Sequence, residues 1–215
     1  MMAIKINHLG KLFMAQMDKT IEVIILAAGS SSRLGQAKQL VQYQGKSLLV
    51  RQCEMALAIT DKVSCVLGCR AQEMNDAISH LPIKKVLNEN WQNGLSSSIA
   101  KGISSISTEV DAVMLILVDQ WQLTILDLQH SHQQWQQTPN NIVSATMLNE
   151  NKVVTGPPVI FPRYCFPSLS QLNQQRGAKK VIHQYQEKLI TLDMPTAFVD
   201  LDTPEQLKIL QQQQN

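Results

Sequence analysis

Residues 26 to 38 read Leu26-Ala27-Ala28-Gly29-Ser30-Ser31-Ser32-Arg33-Leu34-Gly35-Gln36-Ala37-Lys38 and begin at the end of an apolar run, Ile21 to Leu26. This run predicts a strand that is buried on both faces. The two glycines can adopt positive φ and let the backbone approach a ligand closely, and the three serines add hydroxyl and amide donors. Arg33 and Lys38 bring two cations to the same segment. The stretch therefore predicts a polyphosphate-binding loop after a first strand.

Two familiar phosphate-binding motifs are absent from this loop. A Walker A motif needs four residues between its glycines and a lysine directly after the second, whereas five residues separate Gly29 from Gly35, and Lys38 comes three residues later. A dinucleotide fingerprint, G-x-G-x-x-G, is also missing. Since that fingerprint is missing, an NAD-dependent oxidoreductase is disfavoured.

Composition favours one large α/β domain with a small-molecule partner. The chain has 215 residues, of which 17% are charged, and a net charge of +2, so nothing indicates a basic surface for nucleic acid. No apolar run reaches the ~18 residues of a membrane helix. The four cysteines form no C-x-x-C pair and the five histidines form no metal array. We therefore expect reduced thiols, no zinc, no membrane contact and a cytoplasmic location.

Glutamine is unusually frequent, and 25 residues are of this type, including the tail 211–214. We interpret this as surface polarity supplied by amides, without a chemical role. Residues 1–19 precede the first strand and lack the apolar segment of a signal peptide. The predicted organisation is an N-terminal extension over residues 1–19 and one domain over residues 20–215.

Alternating strand and helix patterns predict a mostly parallel sheet with helices on both faces. Strands are predicted over residues 21–26, 63–67, 84–87, 111–118 and 142–146, and helices over 47–60, 71–80, 96–106 and 123–137, with another opening at 177. Residues 152–161 contain Pro157 and Pro158, and we expect a hairpin-like insertion there because proline is poorly tolerated in a central strand.

Three aspartates are candidate metal ligands. Asp119 directly follows the most apolar predicted strand, so it is expected at the carboxyl edge of the sheet, where α/β proteins bind ligands. Mg²⁺ prefers oxygen ligands and often uses one or two carboxylates together with substrate phosphates. Asp200 and Asp202 are expected to flank a strand end, and one or both would complete the site. Alternatively, Asp119 is a turn residue and Asp202 only stabilises the N-terminus of a helix capped by Thr203.

The first loop matches the nucleotidyltransferase signature L-A-(A/G)-G-x-(S/G)-x-R-x-G-x-x-K at every fixed position, and further segments resemble the molybdenum cofactor cytidylyltransferases. These segments are residues 88–99, Asp119-Gln120, Gly156-x-Pro158, residues 176–179 and residues 200–205. The resemblance covers roughly residues 21–210 and implies a single Rossmann-like nucleotidyltransferase domain. In this group alanine at position 28 goes with cytidine nucleotides, whereas related guanylyltransferases have glycine there.

The resemblance implies transfer of CMP from CTP to the terminal phosphate of molybdopterin, with release of pyrophosphate and with Mg²⁺ as cofactor. The implied catalytic residues are Arg33, Lys38 and Asp119, and the implied metal ligands are Asp119, Asp200 and Asp202. The implied nucleotide-binding residues are Leu26, Ala27, Ala28, Gly29, Ser30, Arg33, Lys38, Gly94, Ser96 and Ser97. The implied acceptor-binding residues are Gly156, Pro158, Arg176 and Lys179. On composition alone, Ser96 and Ser97 would instead cap a helix, and residues 176–180 would be a solvated basic turn.

Two departures from the family pattern bear on the acceptor. Trp121 stands where proline usually follows Asp-Gln, and Gln174-Gln175 stands where Gly-Asp is common. We place both on the acceptor side of the site. The expected partners are CTP, a molybdopterin-type cofactor and, transiently, a molybdenum hydroxylase. The alternatives are a nucleotidyltransferase for a sugar or polyol phosphate and a cofactor carrier without catalysis.

Overall fold

A seven-stranded sheet organises the residues that the computed structural model describes, which are 19–150, 152–173 and 177–212. The strands of these ranges are β1 (Ile21–Leu26), β2 (Gln42–Tyr43), β3 (Lys46–Ser47), β4 (Val63–Leu67), β5 (Lys84–Leu87), β6 (Ala112–Leu117), β7 (Ile142–Asn149), β8 (Lys152–Pro162) and β9 (Leu189–Asp193). The helices are α1 (Leu48–Leu57), α2 (Ala71–Ala77), α3 (Leu95–Ser104), α4 (Ile125–Gln137), α5 (Phe166–Ser170), α6 (Lys179–Gln184) and α7 (Pro204–Gln212). None of these helices is long and apolar enough to cross a membrane.

The strand order in the large sheet is β5-β4-β1-β6-β8-β7-β9, while β2 and β3 form a separate two-stranded sheet. Only β8 of the large sheet runs antiparallel to its neighbours, β6 and β7. Apart from Glu22, strand β1 is apolar on both faces, and helices cover both. Val23 and Ile25 pack with α1, α2 and α4, whereas Ile24 and Leu26 pack with α3, α5 and α6. The predicted fold, a mostly parallel sheet with helices on both faces, is confirmed.

Local signals place several element ends where the sequence predicts them. The bounds of β1, β4 and β5 agree with the prediction. Helix α1 begins after Ser47, whose hydroxyl accepts a hydrogen bond from the amide of Val50. At α7 the Thr203 hydroxyl accepts from the Gln206 amide at 3.3 Å, and Gln206 Oε1 accepts from the Thr203 amide at 2.8 Å. This reciprocal pair is a capping box and confirms Thr203 as the helix cap.

Residues 152–161 form a hairpin arm as predicted, because β8 pairs antiparallel with the preceding β7. The exclusion of a central strand there is wrong, because β8 lies inside the sheet and also pairs with β6. Strand β8 pairs with β6 only as far as Val159. Its register with β7 shifts at the same point, because Ser144 pairs with Val159 and the next residue, Ala145, pairs with Gly156. Pro157 and Pro158 lie in this irregularity. Their missing amide hydrogens therefore interrupt no ladder, and the prolines are tolerated inside the sheet.

The expected strand end at Asp200 and Asp202 is also wrong. Within the described ranges, Asp200 forms only an isolated antiparallel bridge with Gln120, and no named strand includes it. The pairing partner is the turn after β6, so the bridge places Asp200 beside the end of the central strand. Most of the predicted N-terminal extension, residues 1–18, lies outside the described residues, as do Gln174, Gln175 and Arg176.

Candidate active site

The loop after β1 lies at the point where the strand order of the sheet reverses. Strand β4 is on one side of β1 and β6 is on the other, and all three strands are parallel. Their carboxyl ends therefore meet at one edge, where open α/β sheets form a ligand crevice. A 3-10 turn, Lys38–Leu40, ends this loop and returns the chain to the protein.

The backbone of the loop holds its carbonyl groups inward and leaves its amides available. The carbonyls of Ala27 and Gly29 accept hydrogen bonds from Gln39 Nε2 at 2.9 and 2.7 Å, and the Ala28 carbonyl accepts from the Cys69 amide at 3.0 Å. By contrast, the amides of residues 28–32 have no acceptor within the described ranges. A run of unpaired amides at a sheet edge is suited to bind an anion.

Positive φ occurs at Gly35, as the sequence allows, but the other left-handed residue of the loop is Ser31 and not Gly29. A side chain at Gly29 would meet no atom within 4 Å, so the fold itself does not require glycine there. Ser31 has φ 55°, and its hydroxyl donates to Gln39 Oε1 and accepts from the Lys38 amide, both at 3.2 Å. These two bonds hold a conformation that serine rarely adopts.

Lys38 lies between two of the three predicted metal ligands. Its ammonium group contacts the Asp119 carboxylate closely and lies 3.0 Å from Asp202 Oδ1. Burial alone would lower the pKa of Lys38, but the two carboxylates outweigh burial and raise the pKa above its ordinary value. Arg33 is 3.8 Å from Asp202 Oδ2, and 78% of its side chain is exposed. The structure thus brings together the three residues predicted to be catalytic.

Asp200 completes a group of three carboxylates. Burial, followed by repulsion from Asp119 and Asp202, raises the pKa of Asp200 to about 6, and Lys38 offsets only part of this. No set of three or more His, Cys, Asp or Glu residues forms a ready-made metal cage in the described part of the chain. Mg²⁺ commonly uses one or two protein carboxylates and takes its other ligands from phosphates and water. A divalent cation at this cluster stays a prediction.

Gln120 joins the elements that carry the aspartates, a role that sequence reasoning missed. Its Nε2 group donates to the carbonyls of Pro157 and Ala197 at 2.7 and 2.6 Å, and its Oε1 atom accepts from the Leu117 amide at 3.0 Å. The side chain is 1% exposed. It thereby ties the end of β6 to β8 and to the segment before Asp200, which fixes the position of the carboxylates.

The placement of Trp121 on the acceptor side is wrong. Its side chain is 1% exposed and packs with Leu34 and Leu201, and Tyr43 meets it edge-on at 5.3 Å between ring centroids. The tryptophan therefore supports the loop and α7 from within. It does not line the large cavity of the site.

Ser96 and Ser97, two of the predicted nucleotide-binding residues, lie in the first turn of α3, and their hydroxyls bond to the protein. Ser97 Oγ donates to the Asn90 and Gly94 carbonyls, both at 2.9 Å, and Ser96 Oγ accepts from the Gly177 amide at 3.1 Å. The N-cap of α3 is Gly94, so the alternative that these serines cap the helix is wrong, and contact with a nucleotide stays a prediction.

Gly68 brings three loops together. A Cβ atom built on it would lie 2.6 Å from Trp91 Cβ and 2.8 Å from Ala28 Cβ. The methyl group of Ala28 thus lies against Gly68, in the core, and Ala28 itself is 4% exposed. Any effect of residue 28 on nucleotide choice must therefore be exerted through the spacing of the loops.

A cavity of about 1030 Å³ adjoins the carboxylate cluster through Asp200. Its walls are mostly apolar and come from β1, β6, β8, α3 and α6. Gly156 and Lys179, two of the predicted acceptor-binding residues, line it, and Lys180 and His183 of α6 add polar groups. Pro158 is not part of the lining, and Arg176 lies outside the described residues.

Comparison with curated proteins relates the chain to an oxidoreductase and to two molybdenum cofactor nucleotidyltransferases. The chain is 29% identical over 195 residues to a nicotine blue oxidoreductase of Paenarthrobacter nicotinovorans, covering 86% of this chain and 93% of that protein. It is 27% identical over 197 residues to a probable molybdenum cofactor guanylyltransferase of Nostoc sp., and the match covers 89% of this chain and 90% of that protein. It is also 29% identical over 90 residues to the molybdenum cofactor cytidylyltransferase of Escherichia coli, and this match covers 41% of this chain and 47% of that protein.

Solved structures support the fold. The crystal structure of Rv0371c from Mycobacterium tuberculosis superimposes with a TM-score of 0.76, covers 91% of this chain and 100% of its own, and is 23% identical in sequence. In addition, residues 23–189 match the family described as the MobA-like NTP transferase domain. With the signature loop and the cluster of Lys38 and aspartates at the sheet edge, this match shows that the chain belongs to the MobA-like NTP transferase family.

Proposed function

We propose that the protein transfers CMP from CTP to the terminal phosphate of a molybdopterin-type cofactor and releases pyrophosphate. One observation carries the proposal. The Lys38, Asp119 and Asp202 cluster lies at the same sheet edge as the available amides of residues 28–32, and the neighbouring Asp200 opens onto the apolar cavity. A loop suited to phosphate, a charged centre and a cavity are therefore contiguous, which supports the proposal.

The loop amides and cations suit the triphosphate. The amides of residues 28–32 would bind phosphate oxygens, since the carbonyls of Ala27, Ala28 and Gly29 are turned inward and bonded to the protein. Lys38 and Arg33 would neutralise charge on the leaving pyrophosphate. Lys38 is held by carboxylates in the free protein, so it must exchange at least one of them for a phosphate oxygen when the nucleotide binds.

Asp119, with Asp200 or Asp202, would hold Mg²⁺. The ion would neutralise the phosphates and polarise the α-phosphoryl group. Burial and, after it, repulsion from Asp119 and Asp202 raise the pKa of Asp200, and a divalent cation beside these carboxylates would relieve the repulsion. Gln120 would keep Asp119 and Asp200 in register through its bonds to β8 and to Ala197.

The chemistry needs alignment and charge neutralisation more than a base. A phosphate oxygen of the acceptor forms a new bond to the α-phosphorus of CTP, and the bond from that phosphorus to the β-phosphate oxygen breaks in line. A phosphate monoester is already anionic at pH 7, so no proton has to be removed from the nucleophile. Positioned charges are therefore the main catalytic contribution expected of this site.

The acceptor assignment rests on the cavity and on the relatives. The apolar walls suit a flat ring system, and Lys179, Lys180 and His183 would face its anionic groups. A curated relative that matches most of this chain is named a probable molybdenum cofactor guanylyltransferase, and one that matches part of it is named a molybdenum cofactor cytidylyltransferase. Ala28 favours CTP over GTP by the family resemblance. Transient contact with a molybdenum hydroxylase stays a prediction.

The test is pyrophosphate release with Mg²⁺ and each of the four NTPs, with and without molybdopterin that carries molybdenum. We expect release only with CTP and the pterin together. Lys38→Met should lower release by about a hundredfold or more. Lys46→Met, which alters an exposed lysine paired with Glu54, should leave release unchanged. Release with GTP would refute the nucleotide assignment, and release only with a sugar or polyol phosphate would refute the acceptor. Binding of CTP without release under any condition would favour a carrier.

A further inference from the structure

We infer that Gln39 is a positioning residue for the triphosphate, because its side chain sets the orientation of the loop amides. The inference rests on the proposed function in one respect, that the loop after β1 binds a polyphosphate. Gln39 lies in the 3-10 turn next to Lys38 and is 1% exposed, so it cannot touch a ligand in the crevice directly. Any effect on the nucleotide must pass through the loop.

The two amide hydrogens of Gln39 draw the loop carbonyls inward. Nε2 donates to the Ala27 carbonyl at 2.9 Å and to the Gly29 carbonyl at 2.7 Å. Each peptide plane has its N–H opposite its C=O, so a carbonyl that faces the core turns the following amide toward the crevice. The amides of Ala28 and Ser30 follow these two carbonyls and lack an acceptor among the described residues.

The side-chain oxygen of Gln39 makes the third contact with the loop, at Ser31. Oε1 accepts the hydroxyl hydrogen of Ser31 at 3.2 Å, and Ser31 Oγ in turn accepts the backbone amide of Lys38 at 3.2 Å. Ser31 is left-handed at φ 55°, a conformation that persists in a non-glycine residue only where several contacts support it. A left-handed residue within a short loop is a feature of anion-binding nests. Gln39 therefore maintains such a nest with both groups of its side-chain amide, Nε2 and Oε1.

No other uncharged side chain of this size satisfies all three contacts. Glutamate retains an acceptor for Ser31 but loses both donors, and methionine keeps the length and volume but loses every polar contact. Gln39→Met is thus the cleaner variant, since it adds no charge beneath an anion site. A matched control is Gln52→Met, because Gln52 is also fully buried and donates to a backbone carbonyl, that of Gln120, at 2.9 Å.

The experiment is calorimetric titration of the full chain with inorganic tripolyphosphate at fixed Mg²⁺, together with thermal unfolding of each variant. We expect Gln39→Met to bind tripolyphosphate at least about tenfold more weakly than the wild type. The reason is that two to three contacts between the loop and the phosphates lose their fixed orientation when Gln39 no longer holds the loop. Gln52→Met also removes a buried amide hydrogen bond and should keep wild-type affinity. Comparison of affinity with thermal stability in the two variants separates positioning from general destabilisation.

Binding by Gln39→Met within twofold of the wild type would overturn the inference, as would an equal loss in Gln52→Met. Failure of the proposed function is distinguishable from both outcomes. If the wild type binds tripolyphosphate, the Gln39 variant does not, and CTP is never turned over with any acceptor, the inference holds and the proposed reaction falls. A wild type that binds no tripolyphosphate refutes the phosphate loop itself and overturns the inference.

Discussion

Replacing Asp200 by asparagine should stabilise the protein in the absence of metal and nucleotide. The pKa of Asp200 is about 6 in the folded chain, against 3.8 for an unperturbed aspartate, because of burial and the two neighbouring carboxylates. A difference of about two pKa units at about 1.4 kcal/mol each gives a ceiling of about 3 kcal/mol. Since Asp200 is partly exposed to solvent, we expect about 1–2 kcal/mol of this at pH 7.5.

The gain must depend on pH with a definite sign. Between pH 4 and 6, the folded state holds a proton on Asp200 that the unfolded state has lost, so the free energy of unfolding falls as pH rises. The penalty is absent below about pH 4 and complete above about pH 7. The stability difference between Asp200→Asn and the wild type should therefore be near zero at pH 4 and grow as pH rises toward 7.

The assay is urea unfolding with EDTA at a series of pH values, with Asp111→Asn as a control of opposite sign. Burial would raise the pKa of Asp111, but hydrogen bonds from Thr20 and the charges of Lys19 and Arg163 lower it overall. Asp111 thus stabilises the fold above its unfolded pKa, and this contribution disappears as pH falls through the folded pKa, below about 4. Asp111→Asn should therefore destabilise at pH 7.5. An Asp200→Asn variant that is less stable than the wild type, or whose gain does not change with pH, would refute the reasoning.

Four further substitutions test the site. Lys38→Met should lower pyrophosphate release by about a hundredfold or more with the circular dichroism spectrum unchanged, and wild-type turnover would remove Lys38 from the mechanism. Asp119→Asn should raise the Mg²⁺ concentration for half-maximal activity, and an unchanged titration would leave Asp119 as a partner of Lys38 only. Ala28→Gly should shift the CTP-to-GTP ratio of kcat/KM about tenfold toward GTP, and an unchanged ratio would exclude residue 28 as a determinant. Gly68→Ala should raise the KM for CTP, because the new methyl separates the loops, whereas Gly102→Ala, crowded against Ile24 at 3.0 Å, should affect stability alone.

The parts of the fold that follow from local pattern could be predicted from the sequence. The apolar run of β1 and the position of Asp119 directly after β6 place both at the carboxyl edge, because parallel strands end together. The meeting of Lys38 and Asp119 is a consequence of that topology. The interior position of β8 could not be predicted in this way, since two prolines argue against it. They are tolerated because the register between β7 and β8 shifts there, and the β7 residues at that shift precede the prolines by about a dozen positions in the sequence.

Glutamine shows most clearly where composition misleads. As a class, the 25 glutamines suggest surface polarity, yet Gln39 and Gln120 are each 1% exposed and make three hydrogen bonds apiece to the elements of the site. Both supply two donors and an acceptor from one uncharged group, which lets a buried side chain bind several backbone atoms without placing a charge near phosphates. A charged residue in either position would alter the electrostatics that Lys38 and the aspartates establish. The amide is therefore the side chain that can order this site while leaving its charge balance to the catalytic residues.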